Sequence, residues 1–244
     1  MRSEQVQAFV ISTRDYGDND RIVSLFTLEH GRVSAFARRA RSSRTRFGAA
    51  LEALARIDCQ IRLKQGLAGL AQADLRSIYP AIRGDLARIA HALYACELIE
   101  ALTPEGVPLP RLFRLLAAYF DRLEAAGAAE AERRFFEINL LNILGYRPSL
   151  MTCSRCGEPF PGQGALLQGG GEPVCGTCAS TGTKIGIDTL AELQKCLATG
   201  SFERSGLHST LIASEAAALL DQAIVSHAGR SLRSLEFLRQ VTAV

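Results

Sequence analysis

Cys153, Cys156, Cys175 and Cys178 form a C-x2-C-x18-C-x2-C array. Thiolates are soft, strongly metal-binding donors, and two close pairs of them supply the four ligands that tetrahedral zinc requires. The spacers Ser154-Arg155 and Gly176-Thr177 suit tight knuckles that aim both sulfurs of a pair at one point, and the small Gly157 and Ala179 follow them. Because all four ligands come from the protein, no position is left for a reacting water, and the array predicts one structural zinc ion. Two disulfides or a redox C-x-x-C form the competing reading. Against it, neither pair has a thioredoxin-like strand-turn-helix context, the start MRSEQVQAFV lacks the apolar stretch of a signal peptide, and seven cysteines do not suit an exported disulfide framework. Cys59, Cys96 and Cys196 sit in apolar patterns and read as small buried hydrophobes.

A second set of residues points to phosphate. In ARRARSSRTRFG, residues 37–48, Arg38, Arg39, Arg41, Arg44 and Arg46 fall close together among Ser42, Ser43 and Thr45, with no acid among them. Guanidinium forks bind phosphate oxygens in pairs, and hydroxyls add small donors. Phe47 and Phe36 flank the run and are candidate stacking faces for a base. A solvated loop without a ligand is the bland alternative. The charge distribution favours the ligand: residues 1–80 carry thirteen Lys or Arg against eight acids, whereas residues 81–150 and 151–244 each carry one more acid than base. Arg62 and Lys64 extend the patch.

Catalytic groups are harder to find. Asp15, Asp18 and Asp20 in RDYGDND would suit a metal-dependent nuclease, but Asp, Asn and Gly are also turn formers, and a polar turn is the preferred reading. His30, His91, His208 and His227 are scattered, none beside a nucleophile or acid, and the chain has no phosphate-binding Gly-Lys-Ser/Thr loop and no dinucleotide fingerprint. A zinc-ribbon protein-protein adaptor is a further alternative.

The elements that position these residues fall into two styles. Ile22–Thr27 and Arg32–Ala37 read as strands joined by a turn through Gly31, and residues 56–64 alternate with Ile57, Cys59, Ile61 and Leu63 on one face. With an opening strand near Gln5–Ser12, a turn at Gln65–Gly69 and a closing strand near Leu70–Tyr79, the segment predicts a small closed barrel of the OB type. After Pro80 the period becomes helical. Asp85 caps one helix, Pro110 opens a second, Gly145 stops a third, Gln168–Gly171 turns a hairpin inside the cysteine module, and helices follow near Thr189–Ala198, Ser214–His227 and Ser231–Val241. The expected class is α+β. Its parts are an OB-fold DNA-binding domain (1–80), a helical domain (81–150), an inserted zinc module (151–182) and C-terminal helices packing on the helical domain (183–244). No apolar run approaches a membrane span, and a cytoplasmic location is expected.

Nearly end to end, the chain resembles the RecO family of bacterial recombination mediators. RIVSLFTLEHGRVSAFARRARSSRTRFGAAL after Asp20 is similar to the family's barrel signature, and LYACELIEAL (93–102) and FFEINLLNILGYRP (135–148) to its helical segments. The four cysteines follow Gly145-Tyr146 where many members carry theirs, and GRSLRSLEFLRQ (229–240) is similar to the C-terminal helix. The resemblance implies a non-enzymatic, nucleoid-associated DNA-repair protein that binds single- and double-stranded DNA and anneals complementary strands. It also implies work with RecR and the tail of the single-strand-binding protein to help load RecA. Three departures stand out: Arg39 replaces a usual glycine, Glu52-Ala53-Leu54 replaces a Gln-Pro-Phe-like segment, and Leu235 and Glu236 stand where arginines are common.

Overall fold

The computed structural model describes residues 3–43, 45–64, 66–202, 207 and 209–242. Strands β1 (Glu4–Tyr16), β2 (Asp20–Thr27), β3 (Gly31–Ala37), β4 (Arg56–Arg62) and β5 (Ala68–Ser77) close into a barrel in the order β1-β2-β3-β5-β4. Neighbours pair antiparallel except β3 and β5, which close the barrel in parallel through Ala35–Ala68 and Phe36–Gly69. This is the OB-fold. Alternation explains it: Val33, Ala35 and Ala37 of β3 and Ile57, Cys59 and Ile61 of β4 are buried, and the residues between them are not. Many of the inward residues are alanine or valine, which fit a narrow five-stranded interior.

The opening strand runs four residues past the expected Ser12. A bulge between Val10 and Ser12 shifts the register, so Val6, Ala8 and Val10 point inward before it while Ser12, Arg14 and Tyr16 take the outer face after it. The closing strand ends two residues before Tyr79, which has φ +53 and leads into α1 (Pro80–Arg83).

By contacts the chain divides into two units, Met1–Gly127 with Arg233–Val244, and Ala128–Leu232. In the first, the barrel is joined by α1, α2 (Leu86–Leu102), α3 (Pro110–Ala126) and α7 (Arg233–Thr242). Asp85 caps α2 by accepting from the Arg88 N–H at 2.9 Å, and Pro110 opens α3. Phe9 and Phe26, paired on the outer barrel face, are fully buried against Phe113 of α3, with ring centroids 5.2 and 6.0 Å away. Phe120 and Tyr79 complete this cluster. One end of the β1–β2 face is thus covered by α3, and the end carrying Arg14 and Tyr16 is left open. Leu235 of α7 is buried and is a core residue of this unit. The N-terminus of α7 is capped by Glu97 of α2, which accepts from the Ser234 N–H at 2.8 Å.

The second unit holds α4 (Glu130–Leu144), α5 (Ile187–Thr199) and α6 (Thr210–Ala228) with a three-stranded sheet in the order β7-β6-β8. Strands β6 (Ala165–Gln168) and β7 (Glu172–Val174) form the expected hairpin, whereas β8 (Thr183–Ile185) is too short for its pattern to show in sequence. Gly145, at φ +80, ends α4. This helix is less apolar inside than its periodicity implies, because Glu132, Arg133, Arg134 and Glu137 are all buried. Arg134 pairs with Glu137 at 2.7 Å and Asp221 at 2.6 Å. Burial alone would lower the Arg134 pKa, but Glu137, Asp221 and Glu130 outweigh it and raise it further.

Candidate functional site

The arginine-rich loop leaves the barrel at the end of β3 and turns at once. Arg39 has φ +56, the left-handed region, and its carbonyl accepts from the Ser43 N–H at 3.1 Å. A glycine reaches this conformation without cost, so Arg39 occupies a glycine-type position. Arg38, Arg39, Ser42, Ser43 and Arg46 line one open cleft of about 600 Å³. Arg46 braces it: its Nε donates to Ser43 Oγ at 2.9 Å, its Nη2 to the Arg38 carbonyl at 2.8 Å, and its guanidinium lies 5.0 Å from the Phe47 ring centroid. Among the described residues no carboxylate lines the cleft.

The acidic turn between β1 and β2 serves this loop. Asp20 accepts from the Arg39 N–H at 2.7 Å, the Asp18 carbonyl from Arg41 at 3.4 Å, and Asp15 lies 3.1 Å from Arg21 and 3.7 Å from Arg41. Arg41 therefore points to the turn and not into the cleft. Asp15, Asp18 and Asp20 do not form a metal-sized cluster; among the described residues only the four cysteines do.

The remaining sequence candidates are placed as follows. Arg62 ends β4 and is exposed, in register with Gly69, which is in turn in register with Phe36; Lys64 is exposed just beyond the strand. Arg44 lies outside the described residues, as does His208. Phe47 is not a stacking face: it is 3 % exposed and fills the barrel core. Its apolar ring gains more from burial under the loop than from solvent. His30 does have an acidic neighbour, with Nε2 2.9 Å from Glu4, while buried His91 meets the Tyr119 hydroxyl at 2.8 Å and His227 stacks on Tyr146. Sequence reasoning missed Tyr16. It is 58 % exposed, and its ring meets Phe36 edge-on at 5.8 Å. The signal was Arg14-x-Tyr16 and Phe36-x-Arg38, basic and aromatic residues at strand spacing on elements two strands apart.

The cysteine array forms a second centre. All four Sγ atoms lie within 4.8 Å of one another, and Cys156 and Cys175 are 3.8 Å apart. A tetrahedron with metal-sulfur bonds of about 2.3 Å has edges of about 3.8 Å, so the residues fit one ion. The knuckles close as their spacers predict: the Gly157 N–H donates to the Cys153 carbonyl at 2.9 Å and the Ala179 N–H to that of Cys175 at 3.2 Å. Burial works to raise the Cys153 thiol, but N–H groups of Cys156, Cys175 and Arg155 outweigh it and bring it down to about 6. The sulfurs of Cys156 and Cys175 push Cys178 up to about 12. Four thiolates this close repel one another, and a bound cation relieves that repulsion. Burial pushes Cys59 and Cys96 up to about 12 and Cys196 to about 11, in keeping with inert core thiols.

Comparison with known proteins gives this geometry a family. The model for the recombination protein O N terminal matches residues 1–79, and that for the recombination protein O C terminal matches residues 83–236. The DNA repair protein RecO of Pelobacter propionicus is 62 % identical over 243 residues, covering 99 % of this chain and 98 % of its own. The chain belongs to the RecO family. The DNA repair protein RecO of Geobacter sulfurreducens is 46 % identical, covering 99 % of this chain and all of its own. That of Anaeromyxobacter dehalogenans is 39 % identical and covers 95 % and 94 %. This RecO-family chain is thus a DNA repair and recombination protein with an OB-fold and a four-cysteine site able to hold a metal ion. No helix among its described residues is long and apolar enough to cross a membrane.

Proposed function

We propose that this protein is a non-enzymatic recombination mediator that binds single- and double-stranded DNA at the arginine cleft and anneals complementary strands. The observation that carries the reading is the concave, acid-free surface of Arg38, Arg39, Ser42, Ser43 and Arg46 at the barrel rim. Phosphate repulsion opposes pairing of two bare strands. A rigid array of guanidinium groups neutralises both, and base pairing then supplies the specificity. Arg62 and Lys64 extend the basic surface, Arg44 belongs to the same run, and Arg41 contributes charge from the side of the turn. The three aspartates, held by the loop they brace, act as scaffold and not as a nuclease centre.

Within the family reading, the protein works in the cytoplasm on nucleoid DNA. It engages RecR and the tail of the single-strand-binding protein, and so helps RecA load on coated strands. One zinc ion, held by Cys153, Cys156, Cys175 and Cys178, is structural.

The test is binding of an Arg38→Ala/Arg39→Ala double variant across a salt series. Loss of two phosphate contacts should weaken single-strand binding and reduce the slope of log K against log salt by about 1.4. Annealing should slow while the melting temperature holds. An unchanged affinity and slope would remove the cleft from the reading.

A further inference from the structure

The arginine cleft accounts for phosphates but not for the aromatic pair beside it. Beyond the bulge, Arg14 and Tyr16 of β1 share the outer face with Ile22 and Asp20 of β2, their partners in register, and Ile22 pairs in turn with Phe36 of β3. Tyr16 is 58 % exposed, and Phe36 holds its edge with ring planes at 83°. The opposite flank of Phe36 is open as well. Its parallel partner is Gly69, which has no side chain, and the next residue in the row is Arg62. A large ring held in water by a rigid ladder, with cations on both sides, is a surface that binds a planar π-system.

Two further observations place a nucleic-acid strand across it. The turn after Tyr16 is fastened to the arginine loop through Asp20 and the Arg39 N–H, so platform and cleft are one piece. Below Arg14 the same face carries a second cleft of about 400 Å³, lined by Ser12, Ser24, Arg32 and Ser34 among others, in which Ser24 Oγ is buried with no hydrogen-bond partner. Glu100 of α2 lines it together with Arg14 and Arg32, so the cleft offers both acceptors and donors to the edge of a base.

We infer that Tyr16, braced by Phe36, is a base-stacking platform that distinguishes a single strand from a duplex at this site. A single strand offers an unstacked base to Tyr16 while its phosphates occupy the arginine cleft. A duplex keeps its bases stacked and offers phosphates alone, so it gains nothing from Tyr16. The inference rests on the cleft being the DNA site, and its test separates the two claims.

The full chain and its Tyr16→Ala, Tyr16→Phe and Arg38→Ala/Arg39→Ala variants are titrated with a dT homopolymer and with a duplex of equal length, each across a salt series. Tyr16→Ala should lose on the order of tenfold in affinity for dT, with the salt slope and the duplex affinity unchanged. Tyr16→Phe should restore binding. Equal losses for dT and duplex, or no loss for either, would overturn the platform whatever the arginine variant does. Failure of the arginine variant to change either slope would overturn the cleft alone. The chain contains no tryptophan, and Tyr79, Tyr94 and Tyr119 are buried. A strand-induced change in tyrosine emission in a Tyr146→Phe background therefore reports on Tyr16, the exposed ring that remains, even if Tyr16→Ala does not fold. Quenching by dT and not by duplex supports the platform, and equal quenching or none refutes it.

Discussion

Arg39 combines a conformational cost with a functional charge. At φ +56 its backbone sits where a side chain costs roughly 1–2 kcal/mol, and the Asp20 carboxylate and the Ser43 N–H hold it there. This glycine-type backbone position here adds a cation to the cleft. Glycine would relieve the strain but give back about 0.5–1 kcal/mol in chain entropy. Arg39→Gly should therefore stabilise the fold by about 0–1.5 kcal/mol in a denaturant titration. The same change should weaken DNA binding and lower the single-strand salt slope by about 0.7. A variant both more stable and equally tight in binding would show that Arg39 is outside the DNA site.

At the scale of elements, the parts whose local chemistry is self-sufficient were readable. Strand β4 alternates without interruption, Gly31 marks the β2–β3 hairpin, and Asp85, Pro110 and Gly145 punctuate the helices at the places the structure confirms. Gly31 is needed twice over, for φ +64 and because a Cβ there would lie 1.8 Å from the Val107 carbonyl oxygen. Gly31→Ala should cost about 2–3 kcal/mol in the same titration. Non-local features were hidden. The bulge at Val10 depends on strand pairing, and only that register reveals Tyr16 as an outward residue continuing the strand. The cysteine site was legible because its spacing is local, but the arginine cleft was legible only as a run, since the inward turn of Phe47 and the diversion of Arg41 depend on contacts distant in sequence. The charged interior of α4 was hidden for the same reason: Arg134 is matched by Asp221, eighty-seven positions away. Glu137→Ala leaves that buried guanidinium without its main counter-charge and should destabilise by about 3–5 kcal/mol, whereas loss of an exposed pair such as Arg41–Asp15 should change little.

At the scale of the molecule, the two chemistries lie in different units of the chain: the arginine cleft and Tyr16 in the first, the four cysteines in the second. A metal held there is therefore expected to act on the fold of the second unit. Its sheet has strands of three or four residues, too few to persist on their own backbone bonds. The close approach of Gly171, at φ +81, to the Ala223 backbone of α6 fastens it, and the proposed metal ion at the four cysteines would fasten it further. A structural zinc contributes on the order of 10 kcal/mol to the folding of such a module. Cys175→Ser, or removal of the metal by a chelator, should therefore lower the melting temperature by many degrees. Below the new transition, dT affinity and its salt slope should match those of the unmodified protein, because the described residues that form the cleft and the platform all belong to the first unit. The measurement pairs a calorimetric melt with DNA titrations at a temperature where the variant is folded. Lost DNA affinity with unaltered melting would make the cysteine centre part of the DNA site; lost melting with intact affinity fixes it as the staple of its own unit.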